Sequence, residues 1–160
     1  MPRGARILLK NACYHVTNRG NQKNKLFVDD ADYEAYLRML KHYKRRYYFK
    51  LFGYCLMPTH PHLVIEPKAP RDLPIIMQCL TQVYARYFNK KYKTFGHLWQ
   101  GRFKNMLIQK DEYFIECIYY VEMNPVRAGL VNSPAQYRWS SYHERTLGEK
   151  TGLLDLPDST

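Results

Sequence analysis

Acidic residues, paired cysteines and long apolar runs are all scarce in this sequence. Asp and Glu number 14 against 25 Lys and Arg, a formal net charge of +11. Such a balance points to a polyanionic partner, nucleic acid first and an acidic membrane surface second. The four cysteines (Cys13, Cys55, Cys79 and Cys117) form no C-x-x-C pair. A zinc knuckle or disulfide frame is therefore not expected, and they read as buried thiols of a reducing compartment. No apolar run approaches the ~20 residues of a membrane span. Met1-Pro2-Arg3-Gly4-Ala5-Arg6 has only Ile7-Leu8-Leu9 behind it, unlike a signal peptide. A cytoplasmic protein without a membrane partner is the expectation. Repeats and low-complexity tracts are absent too, which excludes solenoids and linker-like chains.

What is present suits one folded domain. A chain of 160 residues with 46% apolar side chains buries roughly 70% of its unfolded surface without staples. Tyrosine is abundant, 15 residues, and serves cores, base stacking and nucleophilic chemistry alike.

Periodicity supplies the elements. Residues 12–18 read as a strand ended by Arg19-Gly20-Asn21. Asp29-Asp30 caps a helix over 30–46, with Tyr33, Tyr36, Leu37, Leu40 and Tyr43 at helical spacing. Phe49 to Met57 and His60 to Glu66 are strands about the turn Met57-Pro58-Thr59. A helix over 72–92 carries the stripe Ile76, Cys79, Leu80, Val83, Tyr84 and Tyr87. Residues 102–109 form another strand, Asp111 caps a helix to about 123, and Pro125 opens a short helical turn ending at Gly129. The order β-α-β-β-α-β plus a further helix predicts an α+β fold, a ferredoxin-like antiparallel sheet with helices packed on one face. The chain from Gly148 is expected to be loose.

Three clusters can carry chemistry. His60 and His62 alternate on a strand, about 6.6 Å apart along one face, where two imidazoles can grip a divalent ion; two ordinary surface histidines are the alternative. Pro61 between them cannot donate to a sheet ladder, so it marks an edge, a bulge or a strand start. Tyr120 and Asn124 stand one helical turn apart, Cβ atoms roughly 5–6 Å from each other. A tyrosine hydroxyl there could attack phosphorus while an amide oxygen ligates the metal. Tyr120 could equally pack in the core, Asn124 could cap the next turn, and Tyr119 offers the same hydroxyl. Gly96 to Lys104 mixes polar, basic and aromatic residues, which suits a phosphate backbone with bases stacking on rings; a loop that packs Trp99 and solvates its charges is the competing view. For polyanion contacts Arg102 and Lys104 lead, with Arg19, Arg127, Arg3 and Arg6 behind them.

Taken in chain order, Met1-Pro2-Arg3, His15 to Asn21, Leu56 to Leu63 with its His-x-His, Tyr84 to Asn89, Gly96 to Lys104, Tyr120 to Val131 with Tyr-x3-Asn-Pro-Val-Arg-Ala-Gly, and Trp139 to Tyr142 resemble the single-tyrosine HUH transposases. Within these IS200-like enzymes the match is to the REP-associated tyrosine transposase branch, over residues 1–145. Pro61 stands where that family has a bulky aliphatic residue, and Thr59 where it has asparagine. The resemblance implies an HUH endonuclease fold in one catalytic domain, 1–147, with a tail over 148–160. It implies Mg2+ or Mn2+ held by His60 and His62 with Asn124 as third ligand, and Tyr120, not Tyr119, as nucleophile. The implied activity is cleavage and rejoining of single-stranded DNA, at hairpin-bearing element ends, through a 5′-phosphotyrosine. A homodimer is compatible with it. The alternatives are a non-catalytic DNA-hairpin binder derived from a transposase, and a nuclease that uses water.

Overall fold

In the computed structural model, which describes residues 12–109 and 112–157, two neighbouring strands have no solvent face. Residues 51–57 of β2 (Lys50–Met57) and 61–65 of β3 (His60–Glu66) are buried without alternation, so both faces of the sheet must be covered. The turn Pro58-Thr59 joins them antiparallel, pairing Met57 with His60 and Cys55 with His62. β1 (Cys13–Thr17) lies on the other side of β3, and β4 (Lys104–Ile108) beyond it, in the order β2-β3-β1-β4. With α1 (Asp30–Tyr47) and α2 (Asp72–Tyr92) as the connections, this is the ferredoxin-like α+β fold that periodicity predicts. Arg3, Arg6 and the cap at Asp111 lie outside the described residues.

Pro61 takes the strand-start placement. Leu56 N donates away from β3, to Trp139 O at 2.8 Å, so the pair Leu56↔Pro61 exchanges no ladder bond. On the opposite side, the pairing of β3 with β1 begins only at Thr17↔His62. The missing N–H therefore costs neither neighbour a hydrogen bond.

α1 and α2 pack together over one face, as a ferredoxin-like sheet requires, with Tyr36 and Tyr84 edge to face at 5.5 Å. The additional helix, α3 (Glu112–Glu122), takes the other face, where Phe114 meets Phe52 with ring centroids 5.1 Å apart. Gly53 permits that approach, since a Cβ there would lie 3.2 Å from Ile118 Cγ2. α4 (Asn124–Arg127) follows after one residue, and α5 (Tyr142–Leu147) closes the helical part. Among the described residues no helix is long and apolar enough to cross a membrane.

Two sequence expectations need correction. Residues 149–157, the described part of the chain beyond Gly148, are docked, not loose: Leu153 is buried, Asp155 N donates to Leu51 O at 2.7 Å, and Lys44 pairs with the Asp155 carboxylate at 2.7 Å. This caps the outer edge of β2, which would otherwise present unpaired backbone groups. The cysteines read as buried thiols, but only Cys13 and Cys55 are buried; Cys79 and Cys117 are half-buried.

The two helices of the first face are tied through one carboxylate. Asp29 caps α1 in a capping box with Asp32. The Asp32 side chain is fully buried and accepts from Tyr87 Oη at 2.8 Å, Tyr92 Oη at 2.5 Å and Lys91 Nζ at 2.8 Å, all on α2. Burial pushes this carboxyl up, but the hydrogen bonds from Lys91, Tyr92, Val28 and Tyr87 prevail and hold it down at about 2. Asp32→Ala is expected to cost about 3–5 kcal/mol, the loss typical of breaking a buried pair, measurable by urea denaturation. The stabilisation is present above the ordinary carboxylate value of 3.8 and is lost as pH falls through about 2.

Candidate active site and nucleic-acid interface

Alternate residues of a strand share a face, and directly paired residues of antiparallel strands share it too. His60 and His62 therefore point the same way as Gly53 and Cys55, toward α3, with ring centroids 4.7 Å apart. Register then adds a third imidazole. His15 on β1 projects from the same face, its Nε2 2.9 Å from His62 Nδ1, the rings stacked at 5.1 Å. Sequence reading gives His15 no role, because only the pairing of β1 with β3 shows which residue stands beside His62. The available signal was the alternation His15, Thr17 on a predicted strand.

His60 and His62 each have Nδ1 engaged. Thr59 Oγ1 lies 2.9 Å from His60 Nδ1, and His15 occupies that of His62. Among the described residues, His62 Nε2 is buried without a hydrogen-bond partner, and so is Oγ1 of Thr17, the residue directly across the ladder. Buried polar atoms are normally satisfied, so these two orphans, on residues paired in register, make this the candidate place for a ligand. In the tautomer in which His62 Nδ1–H donates to His15 Nε2, His62 Nε2 carries a lone pair suited to a metal. Burial, together with the positive charge of Arg19, holds His60 down at about 4. Burial first, then His60, His15, Arg19 and Arg127, holds His62 at about 3. Both rings are neutral at physiological pH and can ligate.

Two imidazole nitrogens fit a divalent ion, Mn2+ more readily than the harder Mg2+, which prefers oxygen. Among the described residues no group of three or more His, Cys, Asp or Glu is gathered around one point. A third ligand has to come from another type of donor, such as an amide or phosphate oxygen.

The helical half is built differently. Tyr119 and Tyr120 are 54% and 53% exposed, so neither is core and exposure does not choose between them. Their surroundings differ. The Arg127 guanidinium lies 3.7 Å from the Tyr120 ring centroid while its Nη2 donates to Tyr120 O at 2.7 Å, a cation–π clamp on that ring. Asn124 does not cap the following turn: the cap residue of α4 is Met123, and Asn124 Nδ2 donates to Val121 O at 2.9 Å. Among the described residues, no hydrogen bond or ring contact joins Tyr120 or Asn124 to the histidines.

Three of the basic residues gather at the end of β1. Arg19, Arg102 and Lys104, all exposed, line a recess of about 270 Å³ with Thr17, Asn18 and Gln100. Lys104 pairs with Thr17, and Thr17 with His62, so this cationic recess adjoins the imidazole face. Arg127 stands apart from it, against Tyr120. The loop ahead of β4 also packs Trp99, whose Nε1 donates to Thr81 O at 2.9 Å. Packing and cation display therefore coexist there.

A ferredoxin-like sheet with paired histidines on one face and a tyrosine-bearing helix across it leads to one class. The chain belongs to the family described as IS200-like transposases, whose model matches residues 9–124. Within that family it is similar to a Haemophilus influenzae (strain ATCC 51907 / DSM 11121 / KW20 / Rd) protein named as a candidate REP-associated tyrosine transposase. The two are 28% identical over 158 residues, covering 90% of this chain and 87% of the relative. The fold is also that of a solved REP-associated tyrosine transposase bound to a REP hairpin. That match has a TM-score of 0.78 at 18% identity and covers 100% of this chain and 96% of the other.

The histidine environment has a direct consequence for stability. Because His60 and His62 are held at about 4 and about 3, below the ordinary 6.5, the unfolded chain binds more protons in acid. Their stabilisation is complete above pH 6.5 and is lost as pH falls from there through 4 and 3. Thermal melts between pH 7 and 4 should show the midpoint falling, and His62→Gln should flatten the decline.

Proposed function

We propose that this transposase cleaves and rejoins single-stranded DNA through a covalent 5′-phosphotyrosine at Tyr120, assisted by a divalent metal at His60, His62 and Asn124. One observation carries the reading. His62 presents a buried nitrogen that no group among the described residues satisfies, beside His60, on the face covered by the helix that bears a clamped, solvent-reaching tyrosine. A hairpin-bearing strand is the proposed substrate, in keeping with the solved relative described as bound to a REP hairpin.

The chemistry follows from the groups present. Tyr120 is held by Arg127 on its ring face, which limits the directions its hydroxyl can take. Its oxygen bonds to phosphorus as the bond from phosphorus to the 3′ oxygen breaks. The phenol proton passes to solvent, the 3′ oxygen takes one up, and the 5′ side remains on the enzyme. One phosphodiester has replaced another, so an incoming 3′-hydroxyl can reverse the step without ATP. Mg2+ or Mn2+, when bound, supplies Lewis-acid polarisation of the scissile phosphate. Arg19, Arg102 and Lys104 hold the neighbouring backbone, where cations suit phosphates better than bases. His15 positions His62 for ligation through the Nδ1 contact.

Two experiments test this. Tyr120→Phe keeps the ring and its clamp, so folding and DNA binding should persist. Cleavage of a single-stranded hairpin substrate and the protein-linked strand on a denaturing gel should vanish together, whereas Tyr119→Phe should retain both. Cleavage by Tyr120→Phe without an adduct would give the nucleophile's role to water. Calorimetric titration with Mn2+ tests the metal site without DNA. His62→Ala should abolish binding, and His15→Ala should weaken it about 10- to 100-fold, the effect typical of removing a partner that orients a metal-binding histidine. Unchanged Mn2+ affinity in His62→Ala would show the site to be misassigned.

A further inference from the structure

The segment after β1 and the segment before β4 are zipped together. Asn21 N donates to Leu98 O at 2.7 Å, Gln100 N donates to Arg19 O at 2.9 Å, and Gly20 bridges Trp99. Gly20 is required by the turn that follows it, since a Cβ there would come within 2.6 Å of Asn24 O. Trp99 Nε1 then anchors the loop to Thr81 O of α2. Between α2 and the loop of residues 96–103 lies a preformed groove of about 530 Å³.

The groove combines an apolar lining, including Met77, Leu98 and Phe103, with three carboxamides, Asn18, Gln78 and Gln82. Gln78 and Gln82 lie one turn apart on the exposed side of α2, where the core makes no demand on them. Asn18 is 5% exposed and also lines the cationic recess of Arg19 and Lys104, and Gly101 and Arg102 are common to both as well. The two spaces thus adjoin, one cationic and the next carboxamide-rich over apolar side chains.

That pairing of surfaces matches one nucleotide unit. A phosphate seeks the cations, and an unpaired base seeks an apolar surface for its face and donor–acceptor groups for its edge. A carboxamide presents a donor and an acceptor side by side, the pattern that reads adenine bidentately. We propose that the groove between α2 and the 96–103 loop reads an unpaired base of the strand whose phosphates lie at Arg19, Arg102 and Lys104. The inference rests on the single-strand DNA reading above and names the residues that give it sequence preference.

The test is selection of binders from a pool of DNA hairpins with randomised unpaired flanks, without added metal, so that binding is separated from cleavage. The wild-type protein should enrich particular bases at one or two adjacent unpaired positions. The double variant Gln78→Ala/Gln82→Ala should lose that preference, a change of roughly 5- to 150-fold, the range for one misread base. Its melting point should be unchanged, because both side chains are exposed. Arg102→Ala should instead weaken retention of the whole pool. If the double variant enriches the same bases, or the wild-type protein binds but enriches none, the groove proposal is overturned alone. If the wild-type protein retains no hairpin, the DNA reading fails with it.

Discussion

A fully buried carboxylate sets the position of the helix that carries the tyrosine. Glu122 ends α3 with no solvent exposure, ion-paired to Arg145 of α5, whose Nε donates at 3.0 Å, and accepting from Ser141 Oγ at 2.5 Å. Ser141 is in turn locked to the sheet edge: its N donates to Tyr54 O and its Oγ accepts from Tyr54 N, both at 2.9 Å. A buried charge left unpaired costs on the order of 3–5 kcal/mol. The last turn of α3 can therefore sit only where α5 and β2 bring its partners. Tyr120 and Asn124 lie two residues to either side of Glu122, so the helical half of the site inherits its placement from this network.

The other half is placed by burial of neutral imidazoles. His60, His62 and His15 crowd one face of the central strands, and burial keeps each ring below its ordinary value. Protonated rings would repel one another and the cations Arg19 and Arg127. The charge needed to attract phosphate is displaced to the rim, at Arg19, Arg102 and Lys104, while the interior offers uncharged donors. Under the proposed function, this separation is what lets one small domain bind a polyanion and still present lone pairs to a cation.

Much of this was legible before any coordinates. The extent of α2 follows from its apolar stripe, the start of α1 from Asp29-Asp30, and the β2–β3 hairpin from Pro58-Thr59 between two apolar runs. These are local effects, settled by spacing and capping within a few residues. The docked tail was not legible, because Leu153 and Asp155 act on partners more than a hundred residues earlier, Lys44 and Leu51. The exposure of Cys79 and Cys117 also depends on which helix faces the neighbouring elements leave uncovered. Neither signal exists in a window of sequence.

By itself, then, the sequence determined which residues alternate, which recur every turn and which carry titratable groups. That two histidines share a strand face is a consequence of backbone period alone. Tertiary structure decided who stands opposite whom. It put His15 against His62, left Thr17 Oγ1 and His62 Nε2 without partners, and laid Arg127 over Tyr120 rather than among the other cations. The physical reason is that period specifies a face, whereas strand register and helix packing specify a neighbour. Register is set by the burial of the whole sheet, not by the residues that meet across it.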